Sequence, residues 1–251
     1  MTERWKIDNE YSQNEYKQTG TLYGIGVGPG DPELMTIKAV RILRSCQVIF
    51  TPGKTREDST AYTIAVQAVP ELSEKECVCV DIPMIHDRTR LSQVYDQIGE
   101  MVKVRLLQGE NVGFLNLGDV TFYATYLHVH RRILKEGLKA ELINGIPSFC
   151  AAAGALGKGL VEGHEQFHIL SKPGQVEKGL LLSGTKVIMK SGRQSEHFKE
   201  CLKEAEKDGQ EIFLVENCGM PGQRLEYGAE TVTGNEGYYS LIIVKDRREE
   251  K

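Results

Sequence analysis

The chain has 251 residues, a size between one large domain and two modest ones, and its 40% hydrophobic content is that of a soluble globular protein with a packed core. A net charge of -4 excludes an affinity drawn from general phosphate neutralisation, so nucleic acid is not an expected partner and an anionic ligand needs a local basic patch. No run of about 18 apolar residues occurs, and the polar, acidic start lacks the apolar centre of a signal peptide, so we expect no membrane partner and a cytoplasmic location.

Residues 1–19 have low hydrophobicity and no period, and read as a disordered extension. From Gly20 strands and helices alternate. Leu22–Val27 reads as a buried strand, Pro32–Leu43 as a helix, Gln47–Phe50 as a strand and Ala61–Leu72 as a helix. The alternation continues with strand Cys77–Ile82, helix Arg90–Leu107, strand Val112–Leu117, helix Tyr123–Lys135 and strand Ala140–Ile143. This order predicts an N-terminal α/β domain over residues 20–147, built on a mostly parallel five-stranded sheet. A small-residue helix, Ser148–Leu156, opens the less regular remainder. Its strands are Phe167–Ser171, Lys186–Lys190, Glu211–Glu216 and Tyr239–Val244, with an amphipathic helix over Ser195–Lys207. We therefore expect a C-terminal α+β domain with a mixed sheet over residues 148–251.

The loop Gly24-Ile25-Gly26-Val27-Gly28-Pro29-Gly30-Asp31-Pro32 closes the first strand and opens a helix, with Asp31 as N-cap and Pro32 at the first helical position. Neither Gly24 nor Gly26 starts the G-x-G-x-x-G spacing of a dinucleotide fold. A carboxylate at the helix N-terminus also repels the pyrophosphate that such a terminus otherwise binds. The P-loop-like string Gly179 to Lys186 has threonine where the lysine belongs. A cofactor without phosphate, carrying a sulfonium cation, suits the first loop better.

The stretch LYGIGVGPGDPELMTIKAVRIL resembles the opening of the tetrapyrrole (corrin/porphyrin) methylases, whose motif is GxGPGDxxLxT. A second motif of that family appears as Leu117-Gly118-Asp119-Val120-Thr121-Phe122-Tyr123, with valine in place of the usual proline. A third appears as Asn144-Gly145-Ile146-Pro147-Ser148 before an alanine-rich helix, with asparagine in place of the first proline. Val187-Ile188-Met189-Lys190 and Glu216-Asn217-Cys218-Gly219 resemble two further motifs, all in family order. Within the family, GVGPGDPEL, the SFxAAAxALG helix and Leu160-Val161-Glu162-Gly163-His164-Glu165 are most similar to the C-20 methyltransferases of precorrin-2 or cobalt-factor II.

The resemblance implies a two-domain fold with S-adenosylmethionine in the cleft between the domains, a tetrapyrrole substrate, a role in corrin synthesis and a homodimer. It places Pro29, Gly118, Asp119, Val120, Tyr123, Ser148, Phe149, Met189 and Gly219 against the cofactor. Read locally, Asp119 has the alternative of an N-cap for the following helix, and Met189 alone reads as a core residue. A ring bearing several carboxylates needs cations at the cleft mouth. Lys54, Arg56, Arg88, Arg90, Lys172, Lys190 and Arg193 lie in or near suitable loops, with Arg88 and Arg90 foremost and His86 beside them.

No Ser-His-Asp or Cys-His arrangement suggests covalent catalysis, so no catalytic side chain is assigned. The six cysteines, at 46, 77, 79, 150, 201 and 218, read as reduced thiols. Cys77 and Cys79 share a strand face without a CxxC pair or histidine cluster, and His128 and His130 do not share a helical face, so no protein-held metal is expected.

Overall fold

The computed structural model describes residues 19–85, 87–171, 173–189 and 195–246. The expected N-terminal extension falls outside this range but for Thr19, and His86, Lys172, Lys190 and Arg193 lie outside it as well.

The first sheet comprises β1 (Thr21–Gly26), β2 (Val48–Pro52), β3 (Glu76–Val80), β4 (Val112–Asn116) and β5 (Lys139–Ile143), in the order β3-β2-β4-β1-β5. Every neighbouring pair is parallel. Because successive side chains point to opposite faces, alternate residues build two cores. Ile25, Ile49, Leu115 and Ile143 pack under α1 (Ile37–Ser45) and α2 (Thr60–Ala68). Leu22, Val48, Phe50 and Phe114 pack under α3 (Arg88–Leu107) and α4 (Tyr126–Lys135) on the other face. Gly24 faces the Tyr126 ring, and a Cβ there would stand 2.0 Å from it.

The second sheet has the order β6-β7-β10-β8-β9, from β6 (Phe167–Leu170), β7 (Thr185–Met189), β8 (Gln210–Glu216), β9 (Arg224–Tyr227) and β10 (Ser240–Asp246). Only β6 and β7 run parallel, so the sheet is mixed. One face packs on α6 (Pro173–Leu180) and α7 (Glu196–Lys207), the other on the small-residue helix α5 (Ser148–Ala155). Lys186, from the rejected P-loop-like string, is fully buried on β7 and paired with Asp246 at 2.7 Å.

Three expected helices are shorter than the sequence suggests. The stretch 61–72 ends as α2 at Ala68 and gives way to a 3-10 turn at Pro70–Glu74. The stretch 32–43 divides into a 3-10 turn at Pro32–Leu34 and α1, because Met35 and Thr36 are extended and Thr36 accepts the Ala39 amide as its own N-cap. The expected start at Tyr123 moves to Tyr126, since Tyr123 takes a left-handed backbone (φ 48°) that no helix accommodates. No helix among the described residues is long and apolar enough to cross a membrane.

Candidate active site

Strands β1 and β4 are neighbours, paired through Gly26 and Asn116, yet their chains leave for opposite faces, β1 to α1 and β4 to α4. Such divergence opens a crevice outside the carboxyl ends of a parallel sheet. A cleft of about 380 Å³ lies there, within the size range of small-molecule sites. Its floor is Pro29 after β1 and Asn116, Leu117 and Gly118 at the end of β4. The second sheet contributes Met189 from β7, Val215 from β8, and Cys218 and Met220 from the loop beyond.

The glycines serve close approach between backbones. Gly118 donates its amide to Gly28 O at 2.8 Å, and a Cβ on Gly145 would lie 2.3 Å from Gly118 O. A Cβ on Gly30 would lie 2.2 Å from Cys218 O, and one on Gly219 would lie 2.6 Å from the Asp31 amide. The loop after β1 therefore presses main chain to main chain against the loop after β8. Asp31 caps the 3-10 turn by accepting the Glu33 amide at 2.8 Å, which consumes a donor that a phosphate would require.

Asp119 is buried and its carboxylate joins two loops. One oxygen accepts the Thr121 amide at 2.7 Å and, more closely still, the Thr121 hydroxyl. The other accepts Asn144 Nδ2 at 3.1 Å and the Gly145 amide at 2.9 Å. Burial alone would raise its pKa, but the hydrogen bonds from Thr121, Asn144 and Gly145 outweigh it and hold the group below the ordinary aspartate value. Asn144, which stands where the resemblance leads one to expect proline, thus has a task of its own. Asp119 does not cap α4, which begins seven residues later at Tyr126.

Of the residues expected against the cofactor, Pro29, Gly118, Tyr123, Ser148 and Met189 line the cleft directly. Val120 is fully buried in the core beneath α3 and α4. Phe149 stands behind Phe122, ring to ring at 5.1 Å, and Gly219 lies between the lining residues Cys218 and Met220. Thr60, Met84, Phe122, Tyr238 and Tyr239 also line the cleft and were not anticipated. Thr60 and Tyr239 join the two sheets' sides of the cleft through a 2.7 Å hydrogen bond between their hydroxyls.

The expected rim cations differ in fate. Lys54 is exposed and follows the lining residue Gly53, while Arg88 and Arg90 are exposed in the first turn of α3. Arg56 is otherwise engaged: its guanidinium donates to Ser73 O at 3.2 Å and Lys75 O at 3.1 Å, and lies over the Tyr62 ring. His128 stacks on Tyr95, and His130 Nδ1 meets the Tyr126 hydroxyl at 3.0 Å. Among the described residues no group of three or more His, Cys, Asp or Glu is placed to hold a metal ion.

Known proteins resemble this chain in sequence and fold. The family model of the Tetrapyrrole (Corrin/Porphyrin) Methylases matches residues 21–231. The chain is 32% identical to the probable cobalt-precorrin-2 C(20)-methyltransferase of Methanocaldococcus jannaschii, over 89% of this chain and 95% of that one. It is 29% identical to the precorrin-2 C(20)-methyltransferase of a Sinorhizobium species, over 91% and 97% of the two chains. Among solved structures, uroporphyrin-III C-methyltransferase of Thermus thermophilus complexed with S-adenosylhomocysteine shares the fold, with a TM-score of 0.64 at 20% identity over 90% of this chain and 97% of that one. With its motifs in order along one matched span, the chain belongs to the tetrapyrrole methylases.

Proposed function

We propose that this protein is an S-adenosylmethionine-dependent methyltransferase of corrin synthesis, acting at C-20 of precorrin-2 or its cobalt complex. The observation that carries the reading is the crevice between the diverging ends of β1 and β4, with the carboxylates of Asp31 and Asp119 in its two loops. A site edged this way disfavours phosphate and tolerates a cation. The cofactor fits the residues present: the cleft has room for one compact ligand and its walls are largely apolar.

Bound there, the sulfonium supplies the methyl group. The chain's own contribution is position, since in-line displacement needs donor and acceptor atoms about 3–3.5 Å apart and aligned. Pro29, Gly118, Ser148 and Met189 hold one end of the cleft, with Asp119, Val120, Phe149 and Gly219 shaping the loops behind them. Thr60, Met84 and Tyr239 also line the cleft, and we assign the acceptor ring to their side of it. The electron-rich meso carbon of such a ring resembles an enamine and attacks without a strong base. Lys54, Arg88, Arg90 and His86 are our assignments for the ring's carboxylates.

The working form we infer is a cytoplasmic homodimer of two-domain protomers, divided near residue 147, where α5 leaves the first sheet for the second. Light scattering on the purified protein measures the dimer. The decisive assay incubates the protein with S-adenosylmethionine and precorrin-2, metal-free or with cobalt, and weighs the product. A gain of one methyl at C-20 is expected; no gain refutes the reading, and methylation at C-11 or C-17 of a later intermediate supplied in its place moves the protein elsewhere in its family.

A further inference from the structure

Four aromatic side chains stand partly in solvent around one cleft. Phe122 is 40% exposed, Tyr123 49%, Tyr238 58% and Tyr239 37%, and all four line the crevice. A single exposed ring is ordinary, but several on one concave surface mark a place where something apolar docks. They arrive from opposite sides. Phe122 and Tyr123 belong to the loop between β4 and α4, whereas Tyr238 and Tyr239 lead into β10 of the second sheet.

Each outer ring has a partner that orients it. Phe122 meets the buried Phe149 edge to face, at 5.1 Å and 78°. Tyr238 meets Tyr239 in the same manner, at 5.1 Å and 81°, and Tyr239 is itself tethered to Thr60. In an edge-to-face pair a ring face is left open to another π system. The backbone beneath is unusual too, for Tyr123 sits in the left-handed region that a bulky residue avoids without cause. Met84, 79% exposed on the loop after β3, adds a pliable thioether to the same mouth.

We propose that Phe122 and Tyr238 are specificity-determining rings that grip the conjugated face of the acceptor, one from each wall of the cleft. This rests on the reading of the cleft as a macrocycle methyltransferase site. The pair selects for an extended π surface and keeps the ring's reactive edge turned toward Pro29 and Gly118. Charge on the ring's periphery is left to the rim.

The test compares Phe122→Leu and Tyr238→Leu, which keep bulk but lose the π face, with Phe122→Tyr and Tyr238→Phe, which keep it. Uroporphyrin III serves as a flat carboxylated probe, followed by its absorption shift on binding, alongside turnover of precorrin-2. Each Leu variant should weaken porphyrin binding and raise KM by roughly tenfold, with kcat, S-adenosylhomocysteine affinity and melting temperature unchanged. The ring-retaining variants should match wild type. Leu variants that bind and turn over normally overturn the inference, and so does a parallel loss of S-adenosylhomocysteine affinity or melting temperature. Should wild type bind the porphyrin with this dependence yet methylate no precorrin, the function fails while the aromatic grip stands.

Discussion

The Gly145 amide donates to the Asp119 carboxylate at 2.9 Å, tying the loop after β5 to the loop after β4 directly beneath the cleft. With Asn144 on the same oxygen and Thr121 on the other, one buried charge fixes the geometry of two loops. Replacing Asp119 by Asn turns an acceptor into a donor facing N–H groups. Asp119→Asn should therefore cost about 1–3 kcal/mol, read as a shift in urea midpoint, and should weaken S-adenosylhomocysteine binding.

The same group predicts a pH dependence. Its pKa in the folded chain lies below the ordinary value of 3.8 because the hydrogen bonds outweigh burial. A depressed carboxylate contributes stability that is present above the unfolded value and lost as the pH falls through the folded one. Unfolding free energy should thus decline on acidification below the ordinary aspartate range. Acid titration of Asp119→Asn against wild type should show a shallower decline, and identical slopes would remove Asp119 from this role.

Gly30, Gly219 and Gly137 separate two reasons for glycine. Gly137 has a left-handed φ of 74° with nothing within 4 Å, so Gly137→Ala pays only backbone strain, about 1–2 kcal/mol. Gly30→Ala meets the Cys218 carbonyl, and Gly219→Ala combines a φ of 73° with a close approach to Asp31. Overpacking adds roughly 1–3 kcal/mol. Thermal melts should rank Gly219→Ala the most destabilised, and only the Gly30 and Gly219 variants should lose cofactor-analogue affinity in calorimetry.

Much of the first sheet was legible because its central strands β2 and β4 bury both faces, which writes a continuous apolar run such as Val48-Ile49-Phe50. The edge strand β9, Arg224-Leu225-Glu226-Tyr227, is half exposed and charged, so its pattern does not separate it from loop. Helix α6, with glycines at 174 and 179, carries too little helix preference to stand out. At the cleft, the glycine loops were legible as loops. Which side chains face inward was not: Val120 turns into the core while its neighbour but one, Phe122, turns out. Thr60 and Tyr239 lie 179 residues apart, and only tertiary folding makes them partners.

That hydrogen bond should be measurable as a coupling. Both groups are partly exposed, so Thr60→Val and Tyr239→Phe should each cost little, with an interaction term near 0.5 kcal/mol in a double-mutant cycle, the low end for a hydrogen bond. Additive losses in urea titration would mean that the two hydroxyls do not hold the cleft together in solution.

Arg56 and the rim cations should behave oppositely. Arg56 spends its guanidinium on two main-chain carbonyls and the Tyr62 face, so Arg56→Met should lower stability by about 1–3 kcal/mol while leaving KM for the tetrapyrrole unchanged. Lys54 follows the cleft-lining Gly53, and Arg88 and Arg90 are exposed in the first turn of α3. Replacing any of them by Met should leave the melting temperature alone and raise KM about two- to fivefold, the effect of one solvent-screened ion pair. Because exposed charges are screened by mobile ions, that increase should shrink at high salt, whereas the stability loss of Arg56→Met should persist. A salt-sensitive rise in KM for Arg56→Met, or none for the other three, would reverse the assignment, since the chemistry of carboxylate recognition then would have to come from the opposite wall of the cleft.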